Sequence, residues 1–339
     1  MALEAKLAFA AESAHAGMRL DVFISARLAP EYSRSQVARM IKAGLVTVNG
    51  TRARAASAVR AGDAIAIAPP AVPEPHQSTG DAPAIDVLFA DAEIIVVNKA
   101  AGMTVHPAPG HPDATLVDAL LARFPELAAM AEPDGVLRPG IVHRLDKETS
   151  GVMVVARTPF ARTALSRQFK DRTVRKIYLA IVRGVVAKDR QAIARAIGRH
   201  PVERKRMSVA SHNPRDAVSH VSVLARFNPP SRDATGTTLV RIRPETGRTH
   251  QIRVHLASIG HPCLGDSLYG GAAKRGVASA DAISFERHAL HALALRISHP
   301  RSSAELEFIA PPPDDFAAYL GARGISCDSP TLRRWIEIE

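Results

Sequence analysis

The stretch PPAVPEPHQSTGDAPA, residues 69–84, carries five prolines and almost nothing to bury. Proline fixes φ and removes a backbone donor, so neither a helix nor a central strand runs through such a stretch, which reads as an extended, semi-rigid linker. It divides the 339-residue chain into a small module, residues 17–68, and a large one, residues 85–318, with tails at 1–16 and 319–339. Either module is long enough to bury a core of its own.

In the small module, RLDVFISARL spaces Leu20, Phe23, Ile24 and Leu28 for one helical face, and SRSQVARMIKAG does the same with Val37, Met40 and Ile41 before a stop at Gly44. The second helix sets Arg34, Arg39 and Lys42 on the arc away from its apolar residues, so one face packs and the other stays basic. LVTVNG and DAIAIAP read as short strands, the first ending in an Asn49-Gly50 turn.

Beyond the linker, EIIVVNK (93–99), GVMVVAR (151–157), VRKIYLAIVRGVV (174–186), AVSHVSVLARF (217–227) and TTLVRIRP (237–244) read as strands. Helical patterns include TLVDALLARF and TPFARTALSRQF, the second opened by Thr158 and Pro159. Strands and helices do not alternate regularly and no repeat of fixed period runs through the chain. The expected class is α+β, with a mixed, mainly antiparallel sheet in the large module.

Lys and Arg total 44 against 33 Asp and Glu, a formal charge of +11, which points to a polyanionic partner, nucleic acid before membrane. No run reaches membrane-spanning length, and the first residues are too short in apolar run and too acidic for a signal peptide. Cys263 and Cys327 supply neither a disulfide framework nor a zinc site and read as small apolar residues. A cytoplasmic protein is expected.

Three stretches carry charge that burial alone does not explain. In RPGIVHRLDKETSGVMVVAR, Asp146 lies between two apolar segments, where a carboxylate needs a partner to stay ionised. RPETGRTHQIRVHL offers Arg248 as that partner, beyond a break at Thr246-Gly247. A structural ion pair would place the same residues there, and the residues alone leave both readings open. In FKDRTVRKIYLAIVRG, Tyr178 lies on a strand flanked by Arg172, Arg175 and Lys176, an arrangement suited to stacking on an extruded base and also to an ordinary sheet aromatic. RHPVERKRMSV adds Arg204, Lys205 and Arg206 as phosphate contacts. His250, His255 and His261 lack the spacing of a zinc helix, and no phosphate-binding or dinucleotide-binding glycine loop is present.

The order of elements over residues 17–68 resembles the S4 RNA-binding domain. Over residues 85–318, HRLDKETSG, KIYLAIVRG, TGRTHQIRVHL and HPCLGDSLYGG in series resemble the RluA/RluD group of RNA pseudouridine synthases. Within the group, VHPAPGHPDATLVDALL and ISFERHALHALALRISHP look closest to members acting on large-subunit (23S) ribosomal RNA. The resemblance implies isomerisation of uridine in RNA, with no cofactor, metal or ATP; a monomer acting on ribosomal RNA within a large-subunit precursor is the expected form. It implies Asp146 as the catalytic aspartate, Arg144 in the space left by the flipped base, Tyr178 packed on that base and Arg248 paired with Asp146. The chain departs from the group at Ala100, where proline often follows the lysine. A non-catalytic RNA-binding factor that keeps the fold is the rival reading.

Overall fold

The computed structural model describes residues 7–29, 32–68, 82–107, 113–130, 139–203, 206–228, 235–270 and 285–338. The proline-rich stretch at 69–81 lies outside them, as do Arg204 and Lys205.

The small module has the two expected helices, α1 (Leu20–Arg27) and α2 (Arg34–Ala43). Its sheet contains β1 (Leu7–Ala10), β2 (Val46–Val48), β3 (Thr51–Arg52) and β4 (Ala64–Ile67) in the order β1-β4-β2-β3, all antiparallel. Residues 7–10 are therefore a strand and not tail: alternation in LAFA is too short to read without the partner AIAI that it pairs with. Ser33 and Gln36 form a reciprocal cap at the start of α2, and Gly44 ends it in the left-handed conformation. Asn49 and Gly50 both have positive φ, 52° and 77°, as a two-residue hairpin turn requires. Leu20, Phe23, Ile24, Val37, Met40, Ile65 and Ile67 form the core. Beside it the buried Asp21 receives Arg19 and Arg34 at 3.0 and 3.1 Å, and those guanidiniums, Arg19 first, hold its carboxyl down at about 2.

The large module is built on one nine-stranded sheet. Its strands are β5 (Asp86–Ala90), β6 (Ile94–Lys99), β7 (Ser150–Ala156), β8 (Arg175–Arg183), β9 (Arg190–Ala194), β12 (Val218–Phe227), β13 (Thr237–Pro244), β14 (Leu290–Ser298) and β15 (Glu305–Ile309), while β10 (Gly198–Arg199) and β11 (Met207–Ser208) make a separate hairpin. The order is β5-β6-β7-β14-β8-β13-β12-β9, with β15 on a second stretch of β14. Among the described residues every pairing in the sheet is antiparallel except β7 with β14, joined in parallel through Ser150–His291 and Gly151–Ala292. The mixed, mainly antiparallel class expected from sequence is what the chain adopts.

Helix α3 (Leu116–Arg123) is capped by Thr115 and Asp118, and α4 (Pro159–Asp171) by Thr158 with Pro159 at its first position. Helix α5 (Gln251–Ser258) follows β13. The C-terminal stretch is also not a tail: α6 (Asp314–Gly321) and α7 (Ser329–Glu337) bury Phe316, Tyr319, Leu320, Leu332, Trp335 and Ile336 against Ile177, Leu179 and Leu239 of the sheet. That apolar face repeats at helical spacing in two short windows, Phe316, Tyr319 and Leu320 and then Leu332, Trp335 and Ile336, each too short to read alone. Among the described residues no helix is long and apolar enough to cross a membrane.

Candidate active site

The charged loop that precedes β7 is gripped at both ends by glycines. A Cβ on Gly140 would lie 2.0 Å from the carbonyl oxygen of Ala156, and one on Gly151, at φ +118°, would lie 2.2 Å from that of Ala292. Only glycine permits these backbones to approach so closely, which accounts for Gly151 at the end of HRLDKETSG. The loop thus leaves the sheet where β7 and β14 meet.

Within it, almost every residue is tied down. Lys99, 1% exposed at the end of β6, donates its three ammonium protons to the carbonyls of Ala100, Met103 and Lys147, at 2.6, 2.9 and 3.0 Å. The turn that lacks the expected proline is therefore held by the lysine before it. Burial pushes this ammonium down to about 7 against the pull of Glu148. Arg287 donates to the Glu148 carbonyl at 3.1 Å while both its other arms hold Asp315 at 2.8 Å. Thr149 hydroxyl and His288 Nε2 are 2.8 Å apart, Ser150 hydroxyl and His291 Nδ1 2.9 Å. His143 accepts the Val154 N–H at 3.0 Å and stacks on Phe169; burial, with Lys176 adding to it, pushes the imidazole down to about 3, so it is neutral.

Asp146, 19% exposed, sits at the centre of this loop and faces α5. Its Oδ2 accepts from Nη1 of Arg253 at 3.0 Å. The same guanidinium grips Asp266 through Nε and Nη2, at 2.7 and 2.9 Å, and the Asp266 side chain is fully buried. Asp266 is itself fixed by the N–H groups of Leu268 and Tyr269 at 3.0 and 2.9 Å. Burial opposes its charge, but the Arg253 hydrogen bond and charge prevail and keep the carboxyl below the ordinary carboxylate range. Asp146 is thereby positioned by a cation that has no freedom to leave, the condition for a group that must hold its geometry.

The partner of Asp146 is Arg253, not Arg248. Strand β13 ends at Pro244, but α5 starts only at Gln251, because His250 takes a left-handed conformation, φ 55°, that delays the helix. The delay rotates Arg253 onto the loop and leaves Arg248 on the rim, where its Nε donates to the Asp216 carbonyl at 3.0 Å. His250 Nε2 lies 4.0 Å from Asp146, and its Nδ1 is 2.8 Å from the hydroxyl of Tyr269. That hydroxyl also accepts from the Met207 N–H at 2.8 Å, so His250, Tyr269 and Met207 form one hydrogen-bonded chain beside Asp146. Burial pushes His250 down although Asp146 pulls the other way.

These groups open onto a cavity of about 560 Å³, in the range of ligand sites, lined among others by Arg144, Asp146, Tyr178, Arg248, His250 and Arg253. Tyr178 enters from β8; burial, then the charge of Asp146, raises its phenol, which stays neutral. Arg144 is exposed at the mouth. Arg206 lies outside, paired with Glu203 at 2.8 Å and over the ring of Tyr269 at 5.6 Å. In the small module Lys42 is exposed, Arg39 is half-buried, and Arg34 keeps about half its side chain exposed while paired with Asp21. The histidines considered for a metal have separate surroundings: His255 lies 2.9 Å from both Ser219 hydroxyl and the Arg195 carbonyl, and His261 2.9 Å from the Arg183 carbonyl.

A family model described as RNA pseudouridylate synthase matches residues 93–258, and an S4 domain model matches residues 18–65. Ribosomal large subunit pseudouridine synthase D of Xanthomonas campestris pv. campestris is 42% identical over 312 residues, 91% of this chain and 89% of that protein. The protein of the same name from Pseudomonas aeruginosa is 42% identical over 305 residues, 88% and 90% of the two chains. Among solved structures, human RNA pseudouridylate synthase domain containing 1 is similar with a TM-score of 0.55 at 30% identity, over 72% of this chain and 89% of that one. With this likeness over nearly its whole length, the chain belongs to the RNA pseudouridine synthase family of isomerases and carries an S4 domain ahead of the catalytic one.

Proposed function

We propose that the protein converts specific uridines of large-subunit ribosomal RNA to pseudouridine, acting as a monomer on precursor particles in the cytoplasm, with Asp146 as the reacting group. The observation that carries the reading is the Asp146–Arg253–Asp266 chain at the floor of the cavity. The names of the relatives support the choice of RNA.

In this reading the uridine leaves its stack, at a cost of a few kcal/mol, and enters the cavity with Tyr178 packed on the base. Arg144 fills the space it leaves and Arg248 meets the backbone at the rim. Asp146 attacks C1′, releasing uracil through N1, or adds to C6 of the ring; either route suits a poised carboxylate beside the glycosidic bond. The uracil turns, C5 bonds to C1′, and the bond to Asp146, at C1′ or at C6, breaks and restores the free carboxylate; on the C6 route the N1–C1′ bond breaks as the ring turns. The proton of C5 departs and N1 gains one, so atoms and charge balance without redox change or cofactor. Arg34, Arg39 and Lys42 of the S4 domain, with Arg204, Lys205 and Arg206, supply phosphate contacts.

Mapping pseudouridines in large-subunit RNA from cells with and without the gene tests the substrate. Loss of particular pseudouridines, restored by wild type and not by Asp146→Asn, is the expected result. An unchanged map would refute the assignment.

A further inference from the structure

One wall of the cavity carries cations that the mechanism above does not use. Lys170 and Arg172 end α4, and Lys176 stands two residues before Tyr178 on the same face of β8. Cations at a helix C-terminus complement its dipole, which is reason enough for Lys170 and Arg172. That reason does not extend to Lys176, which belongs to a strand and pairs across the backbone with Leu295.

The acids around the cavity are engaged elsewhere. Asp146 holds Arg253 at 3.0 Å and Glu245 holds His220 at 2.6 Å. Among the described residues no carboxylate lies within ion-pair distance of Lys176. Burial, and then the neighbouring Arg172, push its ammonium down to about 8. A half-buried cation costs free energy unless something answers its charge. Here three cations converge on a cavity that opens to solvent.

We propose that Lys176, flanked by Lys170 and Arg172, forms a phosphate subsite that holds the RNA backbone beside the flipped uridine. The inference rests on the uridine reading and adds a ligand to it. A backbone phosphate supplies the missing counter-charge, and its capture on the wall beside Tyr178 fixes where the base enters. Such contacts position a nucleic acid without reading its sequence.

Three proteins decide the matter: wild type, Lys176→Met and Lys176→Arg, assayed by tritium release from RNA labelled at C5 of uridine, over a range of salt. Lys176→Met is expected to raise KM roughly tenfold, with a smaller fall in kcat, and to make the plot of log affinity against log salt shallower by about 0.7, the value of one contact to a single strand. Lys176→Arg, which keeps the charge, restores most of both. Wild-type KM and slope in Lys176→Met would overturn the subsite, as would an arginine variant no better than the methionine one. Should wild type release no tritium, the uridine reading fails; direct RNA binding by the same three proteins against salt still decides whether Lys176 meets a phosphate.

Discussion

Asp266→Asn is an almost isosteric change at a side chain that solvent does not reach. Asparagine keeps an oxygen for the N–H groups of Leu268 and Tyr269, 3.0 and 2.9 Å away, but its amide turns a donor toward Nε of Arg253, which now donates across 2.7 Å. The guanidinium is left buried with Asp146 as its sole acid. Breaking a buried pair from one side costs on the order of 3–5 kcal/mol. For a domain of this size each kcal/mol moves Tm by about 2–4 °C, so a fall of roughly 6–20 °C is expected in thermal unfolding. Activity measured below the new transition should fall too, since Arg253 no longer holds Asp146 from a fixed base; a loss on the order of a hundredfold is consistent with misplacement of a reacting group by an ångström. The sign with pH also follows. Asp266 has its carboxyl held below the unfolded value, so its stabilisation is full above the ordinary carboxylate range and is lost as pH falls through the folded value. The variant lacks that acid-side loss. A Tm within about 2 °C of wild type together with unchanged kcat would refute the argument that this carboxylate anchors the site.

Lys99→Met removes an ammonium whose value falls from 10.5 to about 7, and it also strands three carbonyls. Between those values the unfolded chain binds a proton that the folded chain has released, so wild-type stability should climb with pH by up to ~5 kcal/mol, and the variant should lack the climb; equal pH profiles in denaturant titrations would contradict this. Gly151→Ala sets a methyl 2.2 Å from the Ala292 carbonyl oxygen at positive φ, and loss of folded protein, or destabilisation above about 4 kcal/mol, is expected in unfolding curves. Deleting residues 1–68 should weaken RNA binding and flatten its salt dependence while leaving some chemistry, and an unaltered slope would remove the S4 domain from the phosphate contacts.

Much of this was readable from residues because local pattern and final position agree. EIIVVNK, GVMVVAR and TTLVRIRP are strands whose apolar runs are buried, and Ser33, Gly44, Thr158 and Pro159 mark helix ends through local chemistry. Strand β14 was not legible as one: LHALALRIS has a single β-branched residue, Ile297, among leucines and alanines that suit a helix as well, yet it pairs with three neighbours at the centre of the sheet. The site was half legible. Asp146 stands out as an acid between buried segments, but the partner was missed because the phase of α5 depends on the backbone of His250. A signal was present: Arg253 is a cation amid Ile252, Val254 and Leu256, and a charge inside an apolar run needs an acid. Asp266 and Lys99 sit far along the chain from Asp146, the first reaching it through Arg253 of α5 and the second from the end of β6, so no spacing reveals them.

The most direct test of the central claim is tritium release from large-subunit RNA labelled at C5 of uridine and made in cells lacking the gene, comparing wild type with Asp146→Asn. Release by wild type and none by the variant, with RNA binding intact, is the expected result. Release by the variant at the wild-type rate would take the chemistry away from Asp146, and release by neither, on naked RNA and on precursor particles alike, would leave an RNA-binding protein with this fold.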